Sequence, residues 1–140
     1  MNIEHQFQAY AADFELAYAD DDWSRIAHYF SVDSSYDAGD GSELATGRTA
    51  VLLKLKGAVD GLDRQMDRRD LQLHSTSSSG NVVIATWTVR FSKNKLPMLE
   101  ISGSEVARFS GKEISELRSV INEESVAVYG AWMAAHGSSL

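Results

Sequence analysis

The chain has 140 residues, of which 44% are hydrophobic, and this favours one compact domain over residues 1–140. It contains no cysteine, which excludes disulfides, thiol nucleophiles and thiolate metal sites. Its formal net charge of −7 argues against a nucleic-acid partner, because binding to a phosphate backbone requires clustered Lys and Arg.

Neither a secretory signal nor a membrane span is predicted. The first residues, MNIEHQFQAY, include Glu4 and lack the apolar core of a signal peptide. The longest nearly apolar run, VVIATWTV at 82–89, is far shorter than the ~20 residues that cross a bilayer. We therefore expect a soluble, cytoplasmic protein with no membrane partner.

Three helices are predicted in the first half of the chain. The first begins near Ile3, where apolar residues recur at the spacing of an amphipathic helix. The acidic run at 20–22 predicts a cap and a favourable N-terminal charge for a short second helix. A third helix is predicted from Arg48 to Leu62, ending near Gly61. The apolar positions are Phe7, Tyr10, Phe14 and Tyr18 in the first helix, Trp23, Ile26, Ala27 and Phe30 in the second, and Val51, Leu52, Leu55, Val59 and Leu62 in the third.

Strands are predicted next. One is expected at Ser34 to Ala38, and beyond the third helix the apolar period changes to two. The segments STSSSGN, SKNKLP and SGK are read as turns, which favours antiparallel hairpins. The four later strands cover Leu71 and Leu73, Val82 to Phe91, Leu99 to Phe109, and Ile114 to Ile121.

A last helix follows these strands. Asn122 can cap it, Glu123 and Glu124 suit its first turn, and residues from about 136 to 140 are expected to fray. Its apolar side holds Val126, Tyr129, Trp132 and Met133. Helices followed by a run of strands predict an α+β fold, in which a curved mixed or antiparallel sheet wraps over the N-terminal helices.

The stretch SSYDAGDG at 34–41 places two aspartates among serines and glycines. It is not a calcium loop, because the third and fifth positions of a loop that starts at Asp37 are glycines. Successive side chains of a strand point to opposite faces. We therefore expect Tyr36 and Ala38 to face inward, and Asp37 and Asp40 to reach solvent.

Three segments carry a resemblance to a known superfamily: YFSVDSSYDAGDGSELATGRTAV at 29–51, LHSTSSSGNVVIATW at 73–87 and ARFSGKEISELRSVIN at 107–122. With this order of elements, the chain resembles the nuclear-transport-factor-like superfamily. That group includes SnoaL-like polyketide cyclases, ketosteroid isomerases and limonene epoxide hydrolases. The resemblance covers nearly the whole chain and implies a cone, in which a bent sheet and helices enclose an apolar pocket, often in a dimer.

Only part of the catalytic machinery of such relatives is kept. The isomerase pattern places its catalytic base at Ala38, its oxyanion tyrosine at Phe14 and its second acid at Glu105, so that only Glu105 matches. The epoxide hydrolase pattern keeps its tyrosine at Tyr36, but its asparagine, arginine and two aspartates fall on Ala38, Thr86, Thr88 and Ser119.

Glu105 and Tyr36 are the candidate catalytic residues. Glu105 lies on the apolar side of the strand LEISGSEVARF, with Leu99, Ile101, Gly103, Ala107 and Phe109. Desolvation there raises a carboxyl pKa and suits the group to acid or base catalysis. An equally open alternative is a structural carboxylate that pairs with Arg90 or Arg48, or that a bulge turns outward. Tyr36 either donates a hydrogen bond to substrate or is a structural tyrosine.

The resemblance also implies the residues that line the pocket. No His-x-His or Glu-x-x-His pair supports a metal, and no cofactor is expected. His74 aligns with a histidine that is frequent in such cones, but its neighbours suggest that it points away from the core. The expected lining residues are Phe14, Tyr18, Ala38, Leu55, Ile84, Thr86, Thr88, Arg90, Ile101, Gly103, Leu117, Ser119 and Ile121.

Two functions of different classes are open. The leading hypothesis is a cofactor-independent isomerase, cyclase or dehydratase that acts on a small, apolar, ring-containing molecule. The alternatives are a non-catalytic ligand-binding or partner domain of the same fold and, less favoured, an epoxide hydrolase. A homodimer is expected through the convex sheet face, to which the alignment with the superfamily assigns Val83, Ala85, Trp87 and Val89.

Overall fold

The architecture is α+β, as predicted. A computed structural model describes residues 2–140, in which helices pack against a curved, open sheet of mixed direction. The helices are α1 (Ile3–Asp20), α2 (Arg48–Gly61) and α3 (Glu123–His136), with 3₁₀ turns at Trp23–Tyr29, Asp63–Gln65 and Gly137–Ser139. The strands are β1 (Phe30–Asp37), β2 (Ala45–Thr46), β3 (Arg68–Ser79), β4 (Val82–Ser92), β5 (Leu99–Ser110) and β6 (Glu113–Ile121). No helix within residues 2–140 is long and apolar enough to cross a membrane.

The sheet has the strand order β2-β1-β6-β5-β4-β3. β1 runs parallel to β6, and the other neighbouring strands are antiparallel. Apolar residues of α1 and α2 pack with β1, β4, β5 and β6 in one buried cluster, and α3 packs with other parts of β4 and β5 in a second. Together the helices and the sheet enclose the space in which the candidate site lies.

The acidic run at 20–22 ends α1 and does not cap a second α-helix. Asp21 is the C-terminal cap of α1, with a φ of 58°, and its Oδ1 accepts a hydrogen bond from Trp23 Nε1 at 2.9 Å. The segment that follows is a 3₁₀ turn, and the Asp22 side chain makes no capping hydrogen bond to it.

β3 is longer than predicted, because the serine run is part of the strand and not a turn. Ser75 to Ser79 pair with β4, and the chain reverses at Gly80, whose φ is +60°. β3 is the edge of the sheet, where polar side chains are compatible with solvent on both faces. The pairing shifts register between Leu73 and Ser75 and leaves His74 in the irregular position.

The inward-facing side of β4 is the opposite of the one that the alignment with the superfamily assigned. Val83 and Ala85 are fully buried, whereas Ile84 is 45% exposed. In the antiparallel register, Ala85 lies opposite Glu105 and Trp87 opposite Gly103, and paired residues share a face. The inward side of β5 therefore determines that of β4. The assignment of Val83, Ala85, Trp87 and Val89 to the convex face is wrong, and a homodimer stays a prediction that no longer rests on them.

The C-terminal helix is held against the sheet. Trp132 Nε1 donates a hydrogen bond to the Pro97 carbonyl oxygen at 2.8 Å. Asn122 stands at the N-cap position, but its side chain makes no capping hydrogen bond. The last residues form a 3₁₀ turn, and Leu140 packs against the second cluster, so they are not the frayed tail that the sequence predicts.

Gly103 is required where β4, β5 and β6 meet. A Cβ there would lie 2.3 Å from the Val120 carbonyl oxygen and 3.0 Å from Trp87 Cζ2.

We expect Gly103→Ala to lower the free energy of unfolding by about 2–3 kcal/mol through this overpacking. Gly130→Ala is the matched control, because its new methyl group meets nothing within 4 Å, and alanine in a helix is about 0.5–1 kcal/mol more stable than glycine. Urea unfolding of both variants tests this, and equal effects would contradict it.

Candidate active site

A cavity of about 710 Å³ lies between the concave face of the sheet and the three helices. Small-molecule sites have volumes of this order. Most of its walls are apolar, and its main polar groups form two sets, one around Glu105 on β5 and one around Arg69 at the start of β3. The cavity therefore offers an apolar body with two polar ends.

Glu105 contributes a carboxyl group to this cavity. Its cross-strand neighbours are Ala85 on β4 and Ser119 on β6, and Ser119 Oγ donates a hydrogen bond to Glu105 Oε1 at 2.7 Å. The part of its surface that remains accessible faces the cavity. Burial raises the pKa of Glu105 to about 7, although Ser119 and the nearby indole of Trp87 favour its ionised form.

The indole of Trp87 packs over Gly103, whose missing side chain makes room for it. Trp87 Nε1 is buried and makes no hydrogen bond of regular geometry within residues 2–140. It nevertheless lies close enough to Glu105 to favour the carboxylate. The contact of Trp87 with Glu105 is thus a weak electrostatic one, whereas Ser119 makes a hydrogen bond of regular geometry.

No arginine neutralises Glu105 within residues 2–140. Arg90 Nε donates to Glu100 Oε1 at 2.6 Å on the outer side of the sheet, and Arg48 lies 3.9 Å from Glu113. The structural alternative, in which either arginine pairs with Glu105, is therefore absent. An unpaired carboxyl in an apolar site holds its proton more tightly than usual.

Tyr36 and Ser119 form a chain of hydroxyl groups that ends at Glu105. The Tyr36 and Ser119 hydroxyl oxygens are 3.0 Å apart. Ser119 has one hydroxyl proton, which it donates to Glu105, so the proton between Tyr36 and Ser119 comes from Tyr36. Burial, followed by the charge of Glu105, raises the pKa of Tyr36 far above its usual value. Tyr36 is thus a neutral donor that acts on Glu105 through Ser119.

Tyr10 lines the cavity, although the sequence pattern marks it only as an apolar position of the first helix. It lies on α1 one turn before Phe14, and its ring makes edge contacts with Phe14 and Phe30. Burial is the main cause that raises its pKa, and the charge of Glu105 raises it further. Tyr10 lines the same cavity as Glu105 and Tyr36. The spacing of four residues put Tyr10 and Phe14 on one helix face, so this signal was present in the sequence.

The structure brings together some of the predicted lining residues and separates others. Ile84, Thr86, Thr88 and Arg90 alternate with the inward residues of β4 and lie on the outer side. Leu117 is packed in the core, Gly103 is covered by Trp87, and Tyr18 lies beneath Arg64 and Arg69. Besides Glu105 and Tyr36, the predicted residues that do line the cavity are Phe14, Ala38, Leu55, Ile101, Ser119 and Ile121.

The stretch at 34–41 contains the end of β1 and the turn that follows it at the rim of the cavity. Asp37 Oδ1 accepts a hydrogen bond from Gly39 N at 2.8 Å, and Asp37 is not among the lining residues. Asp40 is exposed, as predicted, but it also contributes to the wall. A Cβ on Gly39 would lie 2.1 Å from the Ser119 carbonyl oxygen, which explains the glycine. Residues 2–140 hold no group of three or more His, Asp or Glu side chains suited to a metal.

His74 is not part of the cavity wall. Its Nε2 lies 2.7 Å from Thr88 Oγ1, which in turn lies 2.8 Å from Ser102 Oγ. Thr88 and Ser102 are cross-strand partners on the outer side of the sheet. His74 therefore belongs to a polar surface network, in agreement with its predicted orientation.

The second polar set centres on Arg69, whose side chain is only 7% exposed. Arg69 Nε donates to Asp63 Oδ2 and Nη1 donates to Glu15 Oε1, both at 2.6 Å. The guanidinium carbon also lies 4.6 Å from the centre of the Tyr18 ring. Burial raises the pKa of Asp63, although Arg69 opposes this shift. These contacts hold the guanidinium in a defined place on the cavity wall.

Solved structures with low sequence identity share this fold. A protein from Jannaschia sp. CCS1 assigned as a SnoaL-like polyketide cyclase is 12% identical, with a TM-score of 0.68 over 91% of this chain and 92% of that one. An NTF2-like protein of unknown function from Burkholderia pseudomallei K96243 is 14% identical, with a TM-score of 0.67 over 90% and 95% of the two chains. A second protein assigned as a SnoaL-like polyketide cyclase, from Shewanella putrefaciens CN-32, is 16% identical, with a TM-score of 0.65 over 94% and 98%.

Comparison of the sequence with protein-family models and with curated proteins finds no match. The chain has the nuclear-transport-factor-like fold that its sequence predicts. At these identities the likeness shows the fold alone, because one fold hosts many activities.

Protonation of Glu105 couples stability to pH. Its pKa is about 7 in the folded protein against an ordinary 4.5, so between these values the folded state binds more protons than the unfolded state. The contribution of Glu105 to the free energy of unfolding is therefore fully present below about pH 4.5 and is lost as the pH rises through 7. We expect Glu105→Gln to match the wild type near pH 4.5 and to exceed it at pH 8 by up to about 3 kcal/mol.

Urea unfolding of both proteins at several pH values between 4.5 and 8 measures this difference. Glu100→Gln is the control, because Glu100 is exposed on the same strand. Its difference from the wild type should not follow the same pH course. A constant difference between Glu105→Gln and the wild type would show that Glu105 titrates normally.

Proposed function

We propose that this protein is a cofactor-independent acid–base enzyme that enolises an apolar, ring-containing ketone. The observation that carries the proposal is the Glu105 carboxyl, which lies in an apolar cavity without a cationic partner and has a pKa of about 7. A catalytic base is most effective when its pKa lies near the working pH. The same group can take up a proton and return it without a cofactor.

The proposed reaction begins when the Glu105 carboxylate removes a proton from the carbon next to the substrate carbonyl. The C–H electron pair then moves toward the carbonyl oxygen, which becomes an enolate. A hydrogen-bond donor aimed at this oxygen stabilises the charge as it develops. In a β,γ-unsaturated ketone, return of the proton from Glu105 to the γ carbon shifts the double bond and gives an isomer. In a diketone, attack of the enolate carbon on the second carbonyl closes a ring, and the oxygen of that carbonyl takes the proton from Glu105.

Tyr10 is the donor that suits this role. Its raised pKa keeps it protonated, and it lines the same cavity as Glu105. The Tyr36 proton is already directed to Ser119, so Tyr36 and Ser119 position Glu105 and adjust its basicity. This arrangement differs from the sequence hypothesis, in which Tyr36 contacts the substrate.

The walls favour a flat ring system. Aromatic side chains of α1 and β4 line the cavity, and aromatic faces and edges pack well against rings. The lining around the carboxyl is mostly apolar, which strengthens the electrostatic interactions inside the cavity. The aromatic lining residues of these elements are Phe7, Tyr10, Phe14, Trp87 and Phe91.

Exchange of α-protons in D₂O tests the proposal directly. The probe is 2-tetralone, a flat apolar ketone, and exchange is followed by proton NMR. We expect the wild-type rate to rise with pH through about 7, as Glu105 loses its proton. Glu105→Gln should lower the rate by about 10²–10⁴-fold, which is the usual contribution of a general base. Glu100→Gln should behave as the wild type.

Two other results would oppose enolisation. Full exchange by Glu105→Gln would exclude Glu105 as the base. Binding of 2-tetralone without enhanced exchange in the wild type would favour the non-catalytic ligand-binding domain. The epoxide hydrolase alternative is not supported, because Thr86 and Thr88 lie outside the cavity.

The roles of the two tyrosines can be separated. We expect Tyr10→Phe to lower kcat for exchange by about 10²–10³-fold with little change in its pH profile, because it removes the oxyanion donor. Tyr36→Phe should have a smaller effect on kcat and should shift the pH midpoint upward, because Ser119 then loses its donor and stabilises the carboxylate less. The reverse pattern would assign the substrate contact to Tyr36.

A further inference from the structure

The far end of the cavity carries a polar group that the proposed chemistry does not use. Arg69 lines the cavity, and its two defined hydrogen bonds occupy two of the five N–H groups of a guanidinium. The ion pairs with Asp63 and Glu15 and the Tyr18 ring fix its position. A rigid donor on an otherwise apolar wall suits recognition of one ligand atom at low entropic cost.

The charge around Arg69 selects the kind of ligand group. Two carboxylates, those of Asp63 and Glu15, lie against one guanidinium, so the cluster has a formal charge of −1 when all three groups are ionised. An anionic ligand group would be repelled, whereas a neutral oxygen can accept from Arg69. Glu15 Oε2 is buried and has no hydrogen-bond partner within residues 2–140. A hydroxyl group can accept from Arg69 and, after a small rotation of the carboxylate, donate to this oxygen.

The sheet register gives the spacing of the two ends. Glu105 lies opposite Ala85 of β4, and Arg69 lies opposite Phe91 of the same strand. The separation of six residue steps between these positions corresponds to about 20 Å of strand. Both side chains extend into the cavity, so a ligand whose two oxygens are about 10–15 Å apart can reach both ends. The wall between them is apolar and includes Trp87, Val89 and Ile101.

We propose that Arg69 is a specificity residue that binds a neutral hydroxyl group at the far end of the substrate. The substrate class is then an elongated, apolar ketone whose reacting carbonyl lies at Glu105 and whose second oxygen lies at Arg69. This inference rests on the proposed function for the placement of the carbonyl. The contact at Arg69 is tested by binding alone.

The probes are matched pairs of ketones, 4-phenylcyclohexanone and 4-(4-hydroxyphenyl)cyclohexanone, together with the longer pair that carries one more phenylene ring. Binding is measured by quenching of tryptophan fluorescence, because Trp87 lines the cavity. One of the two pairs should match the distance between Glu105 and Arg69. For that pair we expect the hydroxylated ketone to bind the wild type about tenfold more tightly than its parent, as for a hydrogen bond to a charged group. A distal carboxylate should bind more weakly than the parent.

Arg69→Gln should bind both members of a pair equally. Because this variant leaves two carboxylates unpaired, the double variant Glu15→Gln/Arg69→Gln is measured beside it and should show the same loss. Arg64→Gln is the matched control, since Arg64 also lies over Tyr18 and pairs with two carboxylates but does not line the cavity. It should keep the tenfold preference.

A wild type without preference at either length overturns the assignment of Arg69, and so does a preference that survives in the double variant. Exchange of 2-tetralone, which has no distal oxygen, reports on Glu105 separately. A preference for the hydroxyl without exchange would refute the proposed function and leave the Arg69 contact standing. Exchange without a preference for the hydroxyl would support the proposed function and refute the Arg69 contact.

Discussion

The enclosure of one carboxyl group in an apolar cavity is the constraint on which the candidate site depends. A carboxylate loses hydration there, and within residues 2–140 a hydrogen bond from Ser119 and the nearby Trp87 indole replace part of it. The folded protein therefore favours the protonated acid up to about neutral pH. The rest of the fold provides the stability that offsets this burial, through the two apolar clusters on the concave side of the sheet. A surface carboxylate would have neither this pKa nor an apolar wall beside it.

The sheet register arranges the groups around this carboxyl. Residues that pair across antiparallel strands point to the same face, so Ala85, Glu105 and Ser119 form one inward row. In the adjacent row, Gly103 leaves space for the Trp87 indole. The helices then add what the sheet lacks, because α1 places Tyr10 on the wall of the same cavity, and its Glu15 contacts Arg69. Strands thus position the base, and the helix supplies the donor.

Much of this could be predicted from sequence patterns, and the failures have identifiable causes. The helices α1, α2 and α3, the later strands and the inward placement of Tyr36, Ala38 and Glu105 followed from local periodicity, whereas the predicted second helix is a 3₁₀ turn. The predicted inward face of β4 is wrong, because VVIATWTV is apolar on both faces of the strand and alternation alone does not choose between them. The serine run was read as a turn, although an edge strand tolerates such residues. Tyr10 is absent from the predicted site because the alignment with the superfamily places the oxyanion tyrosine at Phe14, one turn away on the same helix face.

The sequence by itself determined the class of fold, because hydrophobic periodicity and turn chemistry act over a few neighbouring residues. It also determined that Glu105 shares a face with apolar residues, since alternation along a strand is local. Only the tertiary structure decided which face of β4 points inward, which arginines stay away from Glu105, and that Arg69 shares a cavity with it. Those facts depend on contacts between residues far apart in the chain, such as Arg69 with Glu15 and Tyr36 with Ser119. Local spacing carries no information about such pairs until strand register and helix packing bring them together.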